Sequence, residues 1–146
     1  MNQIISKLRP HISISNFWQI FWPPIVVFAC HVVLLLLLNT YNIFPNIDIL
    51  MHYLGGLSMG YSCLLGLMFL QRDKLISSLD MIIELALIFT SVATIAVFWE
   101  FGEFTIDHVL GKNVQVSLAN TMQDLLMGIL GALTVVVSQL VKRPKR

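Results

Sequence analysis

Residues 79 to 103, LDMIIELALIFTSVATIAVFWEFGE, run from Leu85 to Trp99 without a charged side chain and then carry two glutamates, Glu100 and Glu103. A transmembrane helix needs about 20 mostly apolar residues, and this stretch is long enough. Steps of three and seven residues return to nearly the same helix face, so Glu100, Glu103 and Asp107 form one stripe if the helix continues that far. Trp99 beside them suits a membrane interface. An ionised carboxylate facing hydrocarbon costs about 2.5–3.5 kcal/mol even on a lenient insertion scale, so this stripe is expected to face a cavity or a partner.

The surrounding chain repeats the signal. Three further apolar runs lie near 17–38, 47–70 and 120–141, joined by short connections. The 146 residues are 57% hydrophobic and 12% charged, against about a quarter charged in ordinary soluble domains. These values point to an all-α, polytopic membrane protein: residues 1–146 as a single membrane domain, folded as an antiparallel four-transmembrane-helix bundle. The first span is too long for a signal-peptide core, and no small-x-small site follows Leu38, so it reads as a retained helix. Phe17, Trp18, Phe21 and Trp22 suit an aromatic belt, and Pro23 and Pro24 mark where that helix starts or kinks.

Lysine and arginine give the orientation. Lys7 and Arg9 precede span 1, Arg72 and Lys74 separate spans 2 and 3, and Lys142, Arg143, Lys145 and Arg146 follow span 4, whereas Lys112 alone falls on the other side. The positive-inside rule then places both termini in the cytoplasm and the 39–46 and 104–119 loops outside. The basic tail reads as a topology determinant and anionic-lipid contact, with no nucleic-acid partner. Cys30 and Cys63 lie inside spans, away from any metal-binding spacing, and read as small buried apolar residues.

Spans 2 and 4 begin at the outer end where span 3 finishes. Asp48 and His52, four residues apart, share a face, as do Asn120 and Asp124. Gly56 with Gly60 and Gly128 with Ala132 are small-xxx-small steps that allow close helix approach just beneath this layer. Three helices are thus expected to bring polar residues to one level. Structural roles compete for several of them: Asp48 as a helix cap, Thr121 with Asp124 as a capping box, Glu103 and Asp107 as solvated edge residues. His11, His31 and His108 read as interfacial or packing residues, with His31 far below the outer layer, and Asp80 and Glu84 as interfacial charges at the cytoplasmic end.

Crowded carboxylates share protons or hold a cation. In the acid/base reading, His52 oriented by Asp48 is the catalytic base and Glu100 or Glu103 the acid or headgroup anchor, with Asp107, Asn120 and Asp124 binding substrate. In the metal reading, Glu100, Glu103 and Asp107 are the candidate ligands for a divalent ion. The Glu-x-x-His step of di-iron bundles is absent.

Taken together, Asp48-x-x-x-His52 with Gly55-Gly56, Trp99-Glu100-x-x-Glu103 with Asp107, and Thr121-x-x-Asp124-Leu125 with Gly131-Ala132 resemble the YjdF-like bacterial inner-membrane proteins. These look like relatives of the VanZ-like family, associated with resistance to the glycopeptide teicoplanin. That wider group is similar to a proposed superfamily thought to act on lipid headgroups, base-exchange phosphatidylserine synthases included. The resemblance covers roughly residues 47–133. It implies a bacterial cytoplasmic-membrane enzyme, or a former enzyme, with its site at one end of the bundle, formed by Asp48, His52, Glu100, Glu103, Asp107 and Asp124. The chain departs from the pattern at Asn120, where an Asp is expected, at Gly128, where VanZ-like proteins tend to carry Asn, and at Glu103, where they tend to carry Gln.

The function expected is hydrolysis or exchange of a phosphoryl-linked headgroup on a lipid or lipid-linked precursor. The alternative is a non-enzymatic small transporter, channel subunit or lipid-binding factor that uses the acids as a cation or proton site.

Overall fold

In the computed structural model, residues 14–34, 44, 46–111 and 113–142 are described, and all their regular structure is helical. Four helices follow in order: α1 (Ile14–Val32), α2 (Asn46–Arg72), α3 (Met81–Leu110) and α4 (Leu118–Lys142). The last three are long and apolar enough to cross a membrane. α1 contains the polar residues Ser15, Asn16, Gln19 and His31, and residues 35–38 of the expected first span lie outside the described set. So do His11 and most of the basic residues behind the orientation: Lys7, Arg9, Lys112, Arg143, Lys145 and Arg146.

Contacts between helices give their directions. Residues 20 and 31 of α1 meet residues 62 and 52 of α2, so these two run antiparallel. His52 of α2 faces Glu100 and Glu103 of α3, while Leu64 clusters with Leu85 and Ile88, so α3 is also antiparallel to α2. α4 runs parallel to α2, with Asn120 at Asp48 and Val135 at Gly60. The bundle is up-down-up-down.

Its surface and interior are exchanged relative to a soluble protein. Trp18, Trp22, Phe28, Ile82, Phe98, Phe101 and Val141 are exposed, whereas Ser58, Ser62, Glu84, Glu100, Glu103 and Asp124 are buried. That arrangement is what a hydrocarbon solvent selects, because polar groups then have partners only inside.

Without a hydrophobic driving force between helices in lipid, small residues set the packing. A Cβ added to Gly56 would collide with the backbone of Gly128, and one added to Gly131 with the backbone of Tyr53 and Leu57. Gly60 sits more loosely, 3.1 Å from Val135 Cγ2 by the same test. Ala132 is fully buried, and Tyr53 hydrogen-bonds Thr134 across the pair at 3.0 Å. Both expected small-residue steps therefore lie in the α2–α4 seam, which Gly131 extends.

Pro23 and Pro24 lie inside α1 and do not start it. Pro24 has no N–H for the carbonyl of Ile20. The hydroxyl of Ser62 on α2 supplies the missing donor, at 2.7 Å from that oxygen. The helix ends follow local chemistry as well. Asp80 caps α3, its Oδ1 accepting from Ile82 N–H at 2.8 Å, and Gly111 closes that helix in the left-handed conformation at φ 62°. α2 ends in a Schellman turn, with Leu75 N–H on Leu70 O and Lys74 at φ 56°.

Several expectations change here. The capping box at Thr121 and Asp124 is not formed: Ser117 Oγ accepts from Asn120 N–H at 3.2 Å, one turn earlier than expected, and Asp124 is buried. Asp80 is a cap, and Glu84 is 3% exposed and thus an interior residue. α3 runs to Leu110, past the expected end at 103, which keeps Asp107 helical.

Candidate functional site

At the end of the bundle opposite the Leu64–Leu85–Ile88–Val135 cluster, α2, α3 and α4 bring their acidic residues around one imidazole. The i to i+4 spacing on α2 puts His52 Nε2 3.5 Å from Asp48 Oδ1. On α3, Glu100 and Glu103 face the same ring: His52 Nδ1 lies 3.7 Å from Glu100 Oε1, and Nε2 lies 3.8 Å from Glu103 Oε1. Asp124 of α4, 1% exposed, completes a second grouping with Asp48 and His52.

Outer partners hold these groups. Trp99 Nε1 donates to Glu103 Oε1 at 2.8 Å, and Asn120 Nδ2 donates to Asp124 Oδ2 at 2.7 Å and Asp48 Oδ2 at 3.4 Å. Asn120 thus supplies a donor that ties α4 to α2. Gln115, which sequence reasoning passed over, reaches in from the α3–α4 connection and donates to the main-chain oxygen and Oε2 of Glu100, each at 3.0 Å. His52 Nε2, Glu100 Oε1 and Asp124 Oδ1 are buried without a hydrogen-bond partner. Unpaired buried polar atoms are costly, so three in one cluster mark a place where a cation or a shared proton is stabilised.

Asp107 has a different place. Its two oxygens accept the backbone N–H groups of Val114 and Gln115 at 2.6 and 2.9 Å, and it belongs to neither carboxylate–imidazole grouping. It shapes the loop that delivers Gln115. His31 departs from expectation in the other direction. It is buried with its ring 5.1 Å from Trp99 and 6.4 Å from His52, centroid to centroid and nearly perpendicular, so it stands at the level of the cluster. His108 stacks on Phe104 outside the cluster.

Beneath this polar layer lies a cavity of about 350 Å³, mostly between α1, α2 and α3. Its walls are apolar, among them Phe21, Ile25, Met59, Val92 and Ile95, and its polar end is His31, His52 and Trp99. Gly55 opens onto it, and a Cβ there would meet nothing within 4 Å.

No curated protein and no solved structure matches the chain significantly. A family model described as "Predicted membrane protein (DUF2238)" matches residues 4–144, nearly the whole sequence, and the three long apolar helices agree with that description. The chain belongs to the DUF2238 family of membrane proteins.

Proposed function

We propose that the protein is a membrane-bound hydrolase or transferase that cleaves or exchanges a phosphoryl-linked headgroup on a lipid or lipid-linked precursor. The observation that carries this reading is the junction of a buried His–carboxylate cluster with an apolar cavity: His52 and Trp99 belong to both. An amphiphile fits such a junction, its hydrocarbon chain between the helices and its head at the acids.

In this mechanism His52, oriented by Asp48, takes the proton of a water or alcohol whose oxygen attacks phosphorus. The bond from phosphorus to the leaving oxygen breaks, and that oxygen takes a proton from Glu100 or Glu103. Asn120 and Asp124 line the headgroup side, while Asp107 acts through the loop. The motif resemblance to YjdF-like and VanZ-like proteins supports the same chemistry, and the distribution of basic residues supports a cytoplasmic-membrane location with the site facing outward. Transport has less support, because below the cluster the buried described side chains are mainly apolar, Val92, Ile88, Leu85, Leu64 and Val135, with Ser58, Ser62 and the distant Glu84 the polar ones.

Lipid and lipid-linked precursor profiles of cells making the native chain or the Glu100→Gln, Glu103→Gln variant, at equal membrane abundance, test the proposal. A headgroup species that changes with the native chain alone is expected; identical profiles would overturn it.

A further inference from the structure

We infer that His52, Glu100 and Glu103 together bind one divalent first-row transition ion of the Mn²⁺, Fe²⁺ or Zn²⁺ class. The inference uses the site of the preceding proposal but does not depend on its lipid substrate.

Charge is the first argument. Asp48, Glu100, Glu103 and Asp124 surround one imidazole, three of the four are buried, and among the described residues no lysine or arginine pairs with any of them. Carboxylates removed from water need a counter-charge or protons. Two glutamates and a neutral imidazole balance a divalent ion.

Geometry is the second. Four ligands at about 2.0–2.2 Å from a tetrahedral ion stand about 3.3–3.6 Å apart. An ion takes one imidazole nitrogen: Nδ1 lies 3.7 Å from Glu100 Oε1, close to that spacing and beyond a good hydrogen bond, while Nε2 faces Asp48 Oδ1 at 3.5 Å and Glu103 Oε1 at 3.8 Å. One ligand atom each from His52, Glu100 and Glu103 falls within 4.8 Å of the others.

Unused valence is the third. Glu100, 5% exposed, directs an unpartnered Oε1 at the ring of His52, while its Oε2 is held by Gln115. Glu103 is held by Trp99. Asp48, one turn from His52, supplies the carboxylate that commonly orients a ligating histidine. Ligands positioned by outer hydrogen bonds, with lone pairs left facing one another, characterise a metal site. One nitrogen donor among oxygens favours Mn²⁺, Fe²⁺ or Zn²⁺ over Mg²⁺ or Ca²⁺. Asp107 is not part of this set, since both its oxygens hold loop amides. Such an ion would supply Lewis-acid charge to a phosphoryl oxygen and acidity to a bound water, and with His52 as its nitrogen ligand the proton of that water would pass to a neighbouring carboxylate, Asp48 or Asp124.

The test uses the full chain in detergent micelles, stripped with a chelator and titrated with Mn²⁺ under electron paramagnetic resonance. One tight ion per chain with nitrogen modulation from an imidazole is expected. His52→Gln should abolish the modulation, and Glu103→Gln should weaken binding at least about tenfold, whereas the loop variant Asp73→Asn should bind as the native chain does. Unfolding of the stripped proteins, measured before titration, separates misfolding from ligand loss, and Glu103→His should restore Zn²⁺ binding. A native chain that takes up neither Mn²⁺ nor Zn²⁺ stoichiometrically, or whose bound Mn²⁺ shows no nitrogen coupling, overturns the inference. Metal binding without any lipid change would leave this site standing and remove the headgroup reading; the reverse result would leave the proton-sharing mechanism.

Discussion

Gln115 donates from one amide nitrogen to both the main-chain and side-chain oxygens of Glu100, at 3.0 Å each, although it sits on the loop after α3. The loop bends back because Asp107 accepts the N–H groups of Val114 and Gln115. A residue one turn beyond the cluster thus positions a carboxylate of the cluster. Hydrogen bonds to a carboxylate contribute about 1.5–3 kcal/mol each, less at a half-exposed site. Asp107→Ala should therefore speed hydrogen exchange at Val114 and Gln115 at least about tenfold and lower activity without abolishing it, and Gln115→Leu should reproduce the activity loss while exchange at Val114 stays slow.

The Ser62 hydroxyl completes α1 where Pro24 leaves the Ile20 carbonyl without a helical donor. Interhelical hydrogen bonds in membranes contribute about 0.6–1.7 kcal/mol. Ser62→Ala should cost about that much in reversible unfolding from micelles. In a Pro24→Ala background the helix regains its own N–H donor, so the same substitution should cost close to nothing. Equal losses in both backgrounds would show that the hydroxyl does not serve this carbonyl.

The clustering of polar side chains was readable where helical spacing decides it. Asp48 and His52 stack because they are four apart, Glu100 and Glu103 because they are three apart, and the length of each apolar run fixes their depth. Which faces meet was not readable from periodicity, since α2 and α3 are apolar nearly all round; the close approach at Gly56 and Gly128 settles it. His31 was misplaced in depth: its ring stands 6.4 Å from that of His52, at the level of the cluster. Gln115 had no signal at all, because a loop residue has no period and its place depends on the Asp107 clamp. The capping box at Thr121 competed with Ser117, and a serine immediately before Leu118 is the stronger cap for that helix start.

Two adjacent glycines on α2 should behave oppositely. Gly56 touches the backbone of Gly128, so Gly56→Val forces α2 and α4 apart and should prevent a monodisperse, folded chain. At Gly55 an added side chain enters the apolar cavity. Gly55→Leu should leave thermal stability within about 1 kcal/mol of the native chain, or raise it through helix propensity, yet remove the headgroup change. Full activity with the cavity filled would show that the substrate chain does not lie there.

Trp99 joins the two halves of the site. Its indole N–H donates to Glu103 Oε1 at 2.8 Å, while its ring packs edge-on against His31 and Phe28, with centroids 5.1 and 5.7 Å away. Trp99→Phe keeps most of that ring contact and removes the donor. If the hydrogen bond sets the direction of Glu103, the loss of about 1.5–3 kcal/mol corresponds to a fall of about 10- to 150-fold in turnover, with the fold intact. The same substitution should weaken Mn²⁺ binding by less than Glu103→Gln does, because the carboxylate itself remains. Unchanged turnover in Trp99→Phe, measured beside a native control, would reduce the indole to a packing element and leave Glu103 positioned by His52 alone.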